Sequence, residues 1–146
     1  MIAVDNLEAS LRFYRDGLGL DVLADREVEG DWPDLFGAPS RSLRAVFLGD
    51  AHVPDVFAGV LELNELRGDQ APHTGSPSTR PRGLFMLSFF VDVEATLNRL
   101  VDLGLGGSPR RIRRPTANGP ITIATVHDPD GVLILLTPGS ITQANS

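Results

Sequence analysis

A chain that writes one strand-exit-and-helix phrase twice is constrained to fold as two like modules, and this chain does so. The first copy is Val4-Asp5-Asn6-Leu7-Glu8-Ala9-Ser10-Leu11-Arg12-Phe13-Tyr14-Arg15-Asp16-Gly17-Leu18-Gly19-Leu20. The second is Val91-Asp92-Val93-Glu94-Ala95-Thr96-Leu97-Asn98-Arg99-Leu100-Val101-Asp102-Leu103-Gly104-Leu105. With Asn6 and Gly17 dropped from the longer copy, Val4 falls on Val91, Asp5 on Asp92, Glu8 on Glu94, Leu11 on Leu97, Asp16 on Asp102 and Gly19 on Gly104. Self-similarity at this spacing is the mark of one supersecondary unit used twice.

Each copy predicts an amphipathic helix following a strand. Leu7, Leu11, Tyr14 and Leu18 recur with helical spacing and form one apolar stripe, while Glu8, Arg12, Arg15 and Asp16 fall elsewhere. Asp5 or Asn6 can accept the first unpaired N–H groups, and Gly17 or Gly19 can take the left-handed conformation that stops the helix. In the second copy Asp92 is the cap, Val93, Leu97 and Leu100 the stripe, and Gly104 the stop.

The rest of the chain fills in the same plan around each helix. Met1 to Val4 reads as the end of a first strand, shortened at its start. Leu20–Glu29, Leu43–Leu48 and Gly59–Asn64 read as three further strands, with the loop Gly30–Ser40 between the first two. Residues 67–83 hold three prolines and no apolar period, and read as a linker or flap between a first module over 1–66 and a second over 84–146. The second module runs through a strand Leu84–Val91, a helix Val93–Leu103, and strands around Arg110–Arg113, Ile121–Val126 and Val132–Thr137. Asp128-Pro129-Asp130-Gly131 suits a tight turn, because Pro presets φ and Gly supplies a positive one. The expected class is α+β, two tandem βαβββ modules.

With 146 residues and a 42% hydrophobic content the chain suits one globular domain made of two small halves. No apolar run approaches the ~20 residues that span a bilayer, and no leader pattern is visible, so a cytoplasmic setting without membrane contact is expected. The absence of cysteine excludes disulfides and thiolate chemistry. A net charge of −6 argues against a nucleic-acid partner.

The two βαβββ units, the acidic cap before Ser10-Leu11-Arg12-Phe13-Tyr14 and Leu18-Gly19-Leu20, and the run Asp128-Pro-Asp-Gly-Val-Leu-Ile-Leu-Leu136 resemble the vicinal oxygen chelate superfamily. Its members include glyoxalase I, bleomycin-resistance proteins, extradiol dioxygenases and methylmalonyl-CoA epimerase. The resemblance implies that each module curls its mixed sheet into a half-barrel, that a ligand sits on the concave face, often beside a divalent metal, and that the protein is a homodimer. Of the family's four metal positions, the first, a His, falls before Met1. The second falls on Glu62, the third, a His, on Met86, and the fourth, a Glu, on Leu135, with Val132 where Asn is common in the turn.

A hard divalent cation needs several oxygen or imidazole ligands, which a thioether and an alkyl group cannot supply. The expectation is therefore a protein without metal or other cofactor, binding a small apolar or aromatic molecule. Glu62 is the candidate general base or hydrogen-bond acceptor, and Asn64 shares its strand face. Met86, Ser88, Phe90, Leu133 and Leu135 are the candidate apolar wall, with Trp32 and Phe36 on the long loop as candidate lid residues. Each has a plainer alternative: an exposed or paired carboxylate, a filled core, and aromatics that only anchor a loop. Likewise His52, His73 and His127 read as surface residues, and Arg110-Arg111-Ile112-Arg113-Arg114 reads either as a phosphate site or, more simply, as a charged strand edge. An enzyme, either a metal-dependent lyase, isomerase or dioxygenase or one using Glu62 as base, is the alternative function.

Overall fold

The structure, a computed structural model, describes residues 2–36, 38–53, 59–65 and 86–139. The expected linker 67–83, the side chain of Phe36, His73 and the tail beyond 139 lie outside the described residues. Chain contacts divide the molecule into two compact units, Met1–Thr74 and Gly75–Ser146.

In the first unit β1 (Ile2–Val4), β2 (Asp21–Glu29), β3 (Ser42–Gly49) and β4 (Leu61–Glu65) form a four-stranded sheet in the order β1-β4-β3-β2. β1 runs parallel to β4 and the other pairs are antiparallel. A parallel pair cannot be closed by a hairpin and needs a long connection, here one that includes the helix. β2 is bulged between Val22 and Ala24, leaving Leu23 without a partner opposite.

The helix α1 (Leu7–Leu11) is capped by Asn6, whose side-chain oxygen accepts the Ala9 N–H at 3.0 Å. It continues as a π-helical segment, Arg12–Gly17, in which the Leu18 N–H reaches back to the Phe13 carbonyl at 3.0 Å. Gly19, at φ 84°, ends it. Leu7, Leu11, Phe13, Tyr14 and Leu18 are buried, and the Phe13 and Tyr14 rings meet edge to face with centroids 5.0 Å apart.

The second unit repeats this order. β5 (Met86–Phe90), β6 (Arg110–Arg114), β7 (Ile121–His127) and β8 (Leu133–Thr137) pair as β5-β8-β7-β6, again with the first pair parallel. The helix α3 (Val93–Asp102) is capped by Asp92, which accepts the Ala95 N–H at 3.0 Å, and ends before Gly104 at φ 67°. Its buried stripe Val93, Thr96, Leu97 and Leu100 accompanies buried Ala124, Val126, Ile134 and Leu136 on the strands. The Asp-Pro-Asp-Gly turn forms as its chemistry dictates: Asp128 Oδ1 accepts the N–H groups of Asp130 and Val132 at 3.0 and 2.7 Å, and Gly131 sits at φ 84°.

The two copies differ in a way that the caps make explicit. Val4 answers to Val91 at the strand exit, but the residue that caps α1 is Asn6 while Asp92 caps α3, so the first copy carries one more residue before its cap. From Asn6 to Gly19 is again one residue longer than from Asp92 to Gly104. The π-helical segment absorbs that second extra residue, since a widened turn takes up an insertion without displacing the apolar stripe.

A short helix, α2 (Trp32–Phe36), occupies part of the expected loop after β2. The Leu35 N–H bonds to the Asp31 carbonyl at 2.9 Å, and Pro33 stands in the first turn, where its missing N–H forfeits nothing. Five residues are too few to show an apolar period, which is why the sequence reads as a loop there.

Candidate functional site

In the first unit two contacts identify the helix side of the sheet. The Leu7 N–H approaches Glu65 Oε1 at 3.5 Å, and Arg44 lies 3.3 Å from Glu8, with Arg44 directly opposite Glu65 across β3 and β4. Strand alternation then puts Leu61, Leu63 and Glu65 toward the helix and Glu62 and Asn64 on the other face. Across the sheet on that other face, Phe47 stands opposite Glu62, and Ala45 and Ala3 flank Asn64.

The strongest charge pairing in this unit lies on the helix side. Arg44 grips Asp25 through Nε–Oδ1 at 2.9 Å and a second guanidinium nitrogen to Oδ2 at 2.6 Å, which holds the Asp25 carboxyl below the usual carboxylate range and raises the guanidinium further. The hydrogen bond from Arg15 lowers Asp16 in the same way. Glu62 has no such partner: among the described residues no cation lies within ion-pair distance of it. It is half-buried, and one oxygen, Oε1, accepts the Asn64 Nδ2–H at 3.1 Å.

Asn64 is 0% exposed, and its Oδ1 has no hydrogen-bond donor among the described residues. Turning the amide over would set that oxygen against the Glu62 carboxylate, so the hydrogen bond fixes its orientation. A buried acceptor left unmatched costs roughly 1–3 kcal/mol.

The second unit presents a corresponding face. Cross-strand neighbours there are Met86 with Leu133, Ser88 with Leu135 and Phe90 with Thr137. All five expected wall residues, Met86, Ser88, Phe90, Leu133 and Leu135, therefore share one face, turned away from the buried layer of Ala124, Val126, Ile134 and Leu136. Each is half-buried or exposed, whereas the layer behind is closed. The repeat relates Leu135 on β8 to Glu62 on β4. A shallow depression of about 640 Å³ opens at the end of this sheet beside the start of α3, lined by Phe90, Asp92, Glu94, Ile121, Thr122 and Pro138.

Trp32 is accounted for locally. Its indole N–H donates to the Val28 carbonyl at 3.3 Å, and its ring lies against Gly30, where a Cβ would come within 2.6 Å of it. His127 is exposed at the end of β7. Arg110, Arg111, Arg113 and Arg114 are all exposed along β6, the outer strand of its sheet.

One grouping escaped the sequence reading. Asp21, Asp50 and His52 bring one ligand atom each to within 4.8 Å of one another, the one such trio among the described residues. It forms because the start of β2 pairs with the end of β3, Asp21 opposite Gly49, which no sequence spacing reveals. The His52 side chain is 91% exposed. The carboxylates already serve the turn, Asp21 accepting the Ala51 N–H at 2.9 Å and Asp50 the His52 N–H at 2.8 Å.

Comparison with known proteins gives the same outline. A model of the Glyoxalase/Bleomycin resistance protein/Dioxygenase superfamily matches residues 1–136. The lactoylglutathione lyase-like protein terB of Aspergillus terreus is 38% identical over 140 residues, which is 93% of this chain and 71% of that protein. Among solved structures, a glyoxalase family protein from Bacillus cereus superposes with a TM-score of 0.67 at 21% identity, over 94% of this chain and 91% of that one. Glyoxalase I from Zea mays superposes at 0.60 with 25% identity, over 94% of this chain but 42% of that one, so the chain spans less than half of the maize enzyme.

Proposed function

Because the chain belongs to the glyoxalase/bleomycin resistance protein/dioxygenase superfamily, we propose that its open sheet faces, one carrying Glu62 and the other Met86 and Leu135, each serve small-molecule binding of an apolar or aromatic kind, with no metal ion held at the family's positions. The observation that carries this reading is the make-up of those positions. Glu62 is a half-buried carboxylate, but Met86 and Leu135, both half-buried on one face of the second sheet, offer sulfur and carbon where a hard cation needs nitrogen or oxygen. That donor set does not fit a divalent metal ion. What Met86 and Leu135 do supply on the second sheet is an apolar wall, the usual lining of a small-molecule site, and what Glu62 supplies on the first is a carboxylate that can accept a hydrogen bond.

A thermal-shift screen of aromatic compounds, run with a chelator present, tests this. A ligand that binds only the folded chain raises its melting temperature by mass action, and Leu135→Asp, which puts a charge on the wall, should abolish the shift. Shifts seen only when a divalent metal is supplied would contradict the proposal.

A second reading is favoured by the name of the Aspergillus relative and by the absence of an ion-pair partner for Glu62 among the described residues: an isomerase or lyase reaction in which Glu62 accepts the proton. Turnover of a compound found in the screen, lost in Glu62→Gln while binding persists, would select it.

A further inference from the structure

We infer that the Glu62 carboxylate is an acceptor for a hydrogen-bond donor on the ligand, a hydroxyl or an ammonium group carried by the apolar body, with Asn64 holding the carboxylate in position. This rests on the proposed binding function and goes beyond it by naming the polar group the occupant must carry.

The side-chain oxygens left over at this place are acceptors. One Glu62 oxygen takes the Asn64 Nδ2–H at 3.1 Å, which leaves the other carboxylate oxygen and Asn64 Oδ1 without a donor among the described residues. The cross-strand neighbours on the same face, Ala3, Ala45 and Phe47, carry no donor in their side chains. Arg26, opposite Ala45 on β2, is exposed and makes no ion pair with Glu62. A carboxylate that is half-buried beside an aromatic ring and lacks a cation is complemented by a ligand that brings an O–H or N–H, and such charge-assisted bonds are the strong ones.

Asn64 is fully buried and so acts through Glu62. A leucine of similar volume would remove its unmatched oxygen, and with it a standing cost to stability. The amide's visible use is the hydrogen bond that fixes the carboxylate. Asn64 is thus a positioning residue whose benefit to binding and cost to folding have opposite signs, a combination that a purely structural asparagine does not show.

The test measures binding to the purified full chain, in the presence of a chelator, of 2-naphthol, 2-(aminomethyl)naphthalene and 2-methoxynaphthalene, three probes of nearly one shape. The expected result is that a donor-bearing probe binds at least tenfold tighter than the methyl ether, and which of the two does so tells a hydroxyl ligand from an ammonium one. Glu62→Met should erase the preference. Asn64→Leu should cut it several-fold while raising the melting temperature, and Asn64→Ala, which makes no steric demand, should lose the same preference. The inference is overturned if the ether binds as tightly as both donor probes, or if both Asn64 variants keep the full preference. Failure of all three probes to bind overturns the binding proposal itself, a distinct result.

Discussion

Arg44 shows how a single residue can set the acid sensitivity of a module. Its two parallel bonds to Asp25 hold that carboxyl below its ordinary value of 3.8, so the ionised form is favoured in the folded state. A lowered carboxyl pKa gives stability that is present above the unfolded value and is lost as pH falls through the folded one. The pair is partly exposed, Arg44 at 29% and Asp25 at 41%, so water screens it and the effect is modest. Arg44→Met should lower the urea midpoint at neutral pH, and the gap from the parent should narrow as pH falls through the folded-state value of Asp25. An unchanged gap between the two proteins across that range would show that Arg44 contributes through packing alone. Residue identities such as Glu62, Met86 and Leu135 were legible in the sequence, because a chemical group is what it is before it folds. The burial of Asn64 was not, since it depends on which strands flank β4.

At the scale of elements the repeat does most of the work. Buried Leu7, Ser10, Leu11 and Tyr14 match Val93, Thr96, Leu97 and Leu100 position for position, and each helix begins on a side-chain oxygen that takes an N–H at 3.0 Å. Removing either cap, by Asn6→Ala or Asp92→Ala, should cost about 1 kcal/mol in chemical unfolding. A loss confined to one of the two would show that the modules do not use their caps alike. This symmetry was readable because apolar spacing, a capping Asn or Asp and a terminal glycine are all local signals. The π-helical segment was not, since the stripe Leu7, Leu11, Tyr14, Leu18 keeps helical spacing whether or not one turn is widened. α2 was missed because a helix of five residues anchored by Trp32 leaves no periodic trace.

Across the whole molecule, the two sheets repeat one strand order and each carries buried residues on its helix side, Val46, Leu48 and Leu63 in the first and Ala124, Val126, Ile134 and Leu136 in the second. The chain's net charge of −6 coexists with a strand, β6, that carries four exposed arginines, and an edge of one charge resists pairing with a like edge. The fold was legible because a duplicated pattern leaves few alternatives. The site was legible in part, as a set of residues sharing faces, because strand alternation alone decides that. The Asp21–Asp50–His52 trio lay beyond reach, because it is made by the pairing of β2 with β3. The central claim is that Glu62 holds no metal ion, Met86 and Leu135 offering neither nitrogen nor oxygen at two of the family's other positions. Equilibrium dialysis of the parent chain and of Glu62→Gln against zinc, nickel, manganese and iron, followed by elemental analysis, tests it directly. The account predicts the same metal content in both proteins, any ion at the exposed trio included. One ion per chain in the parent that disappears in Glu62→Gln would contradict it.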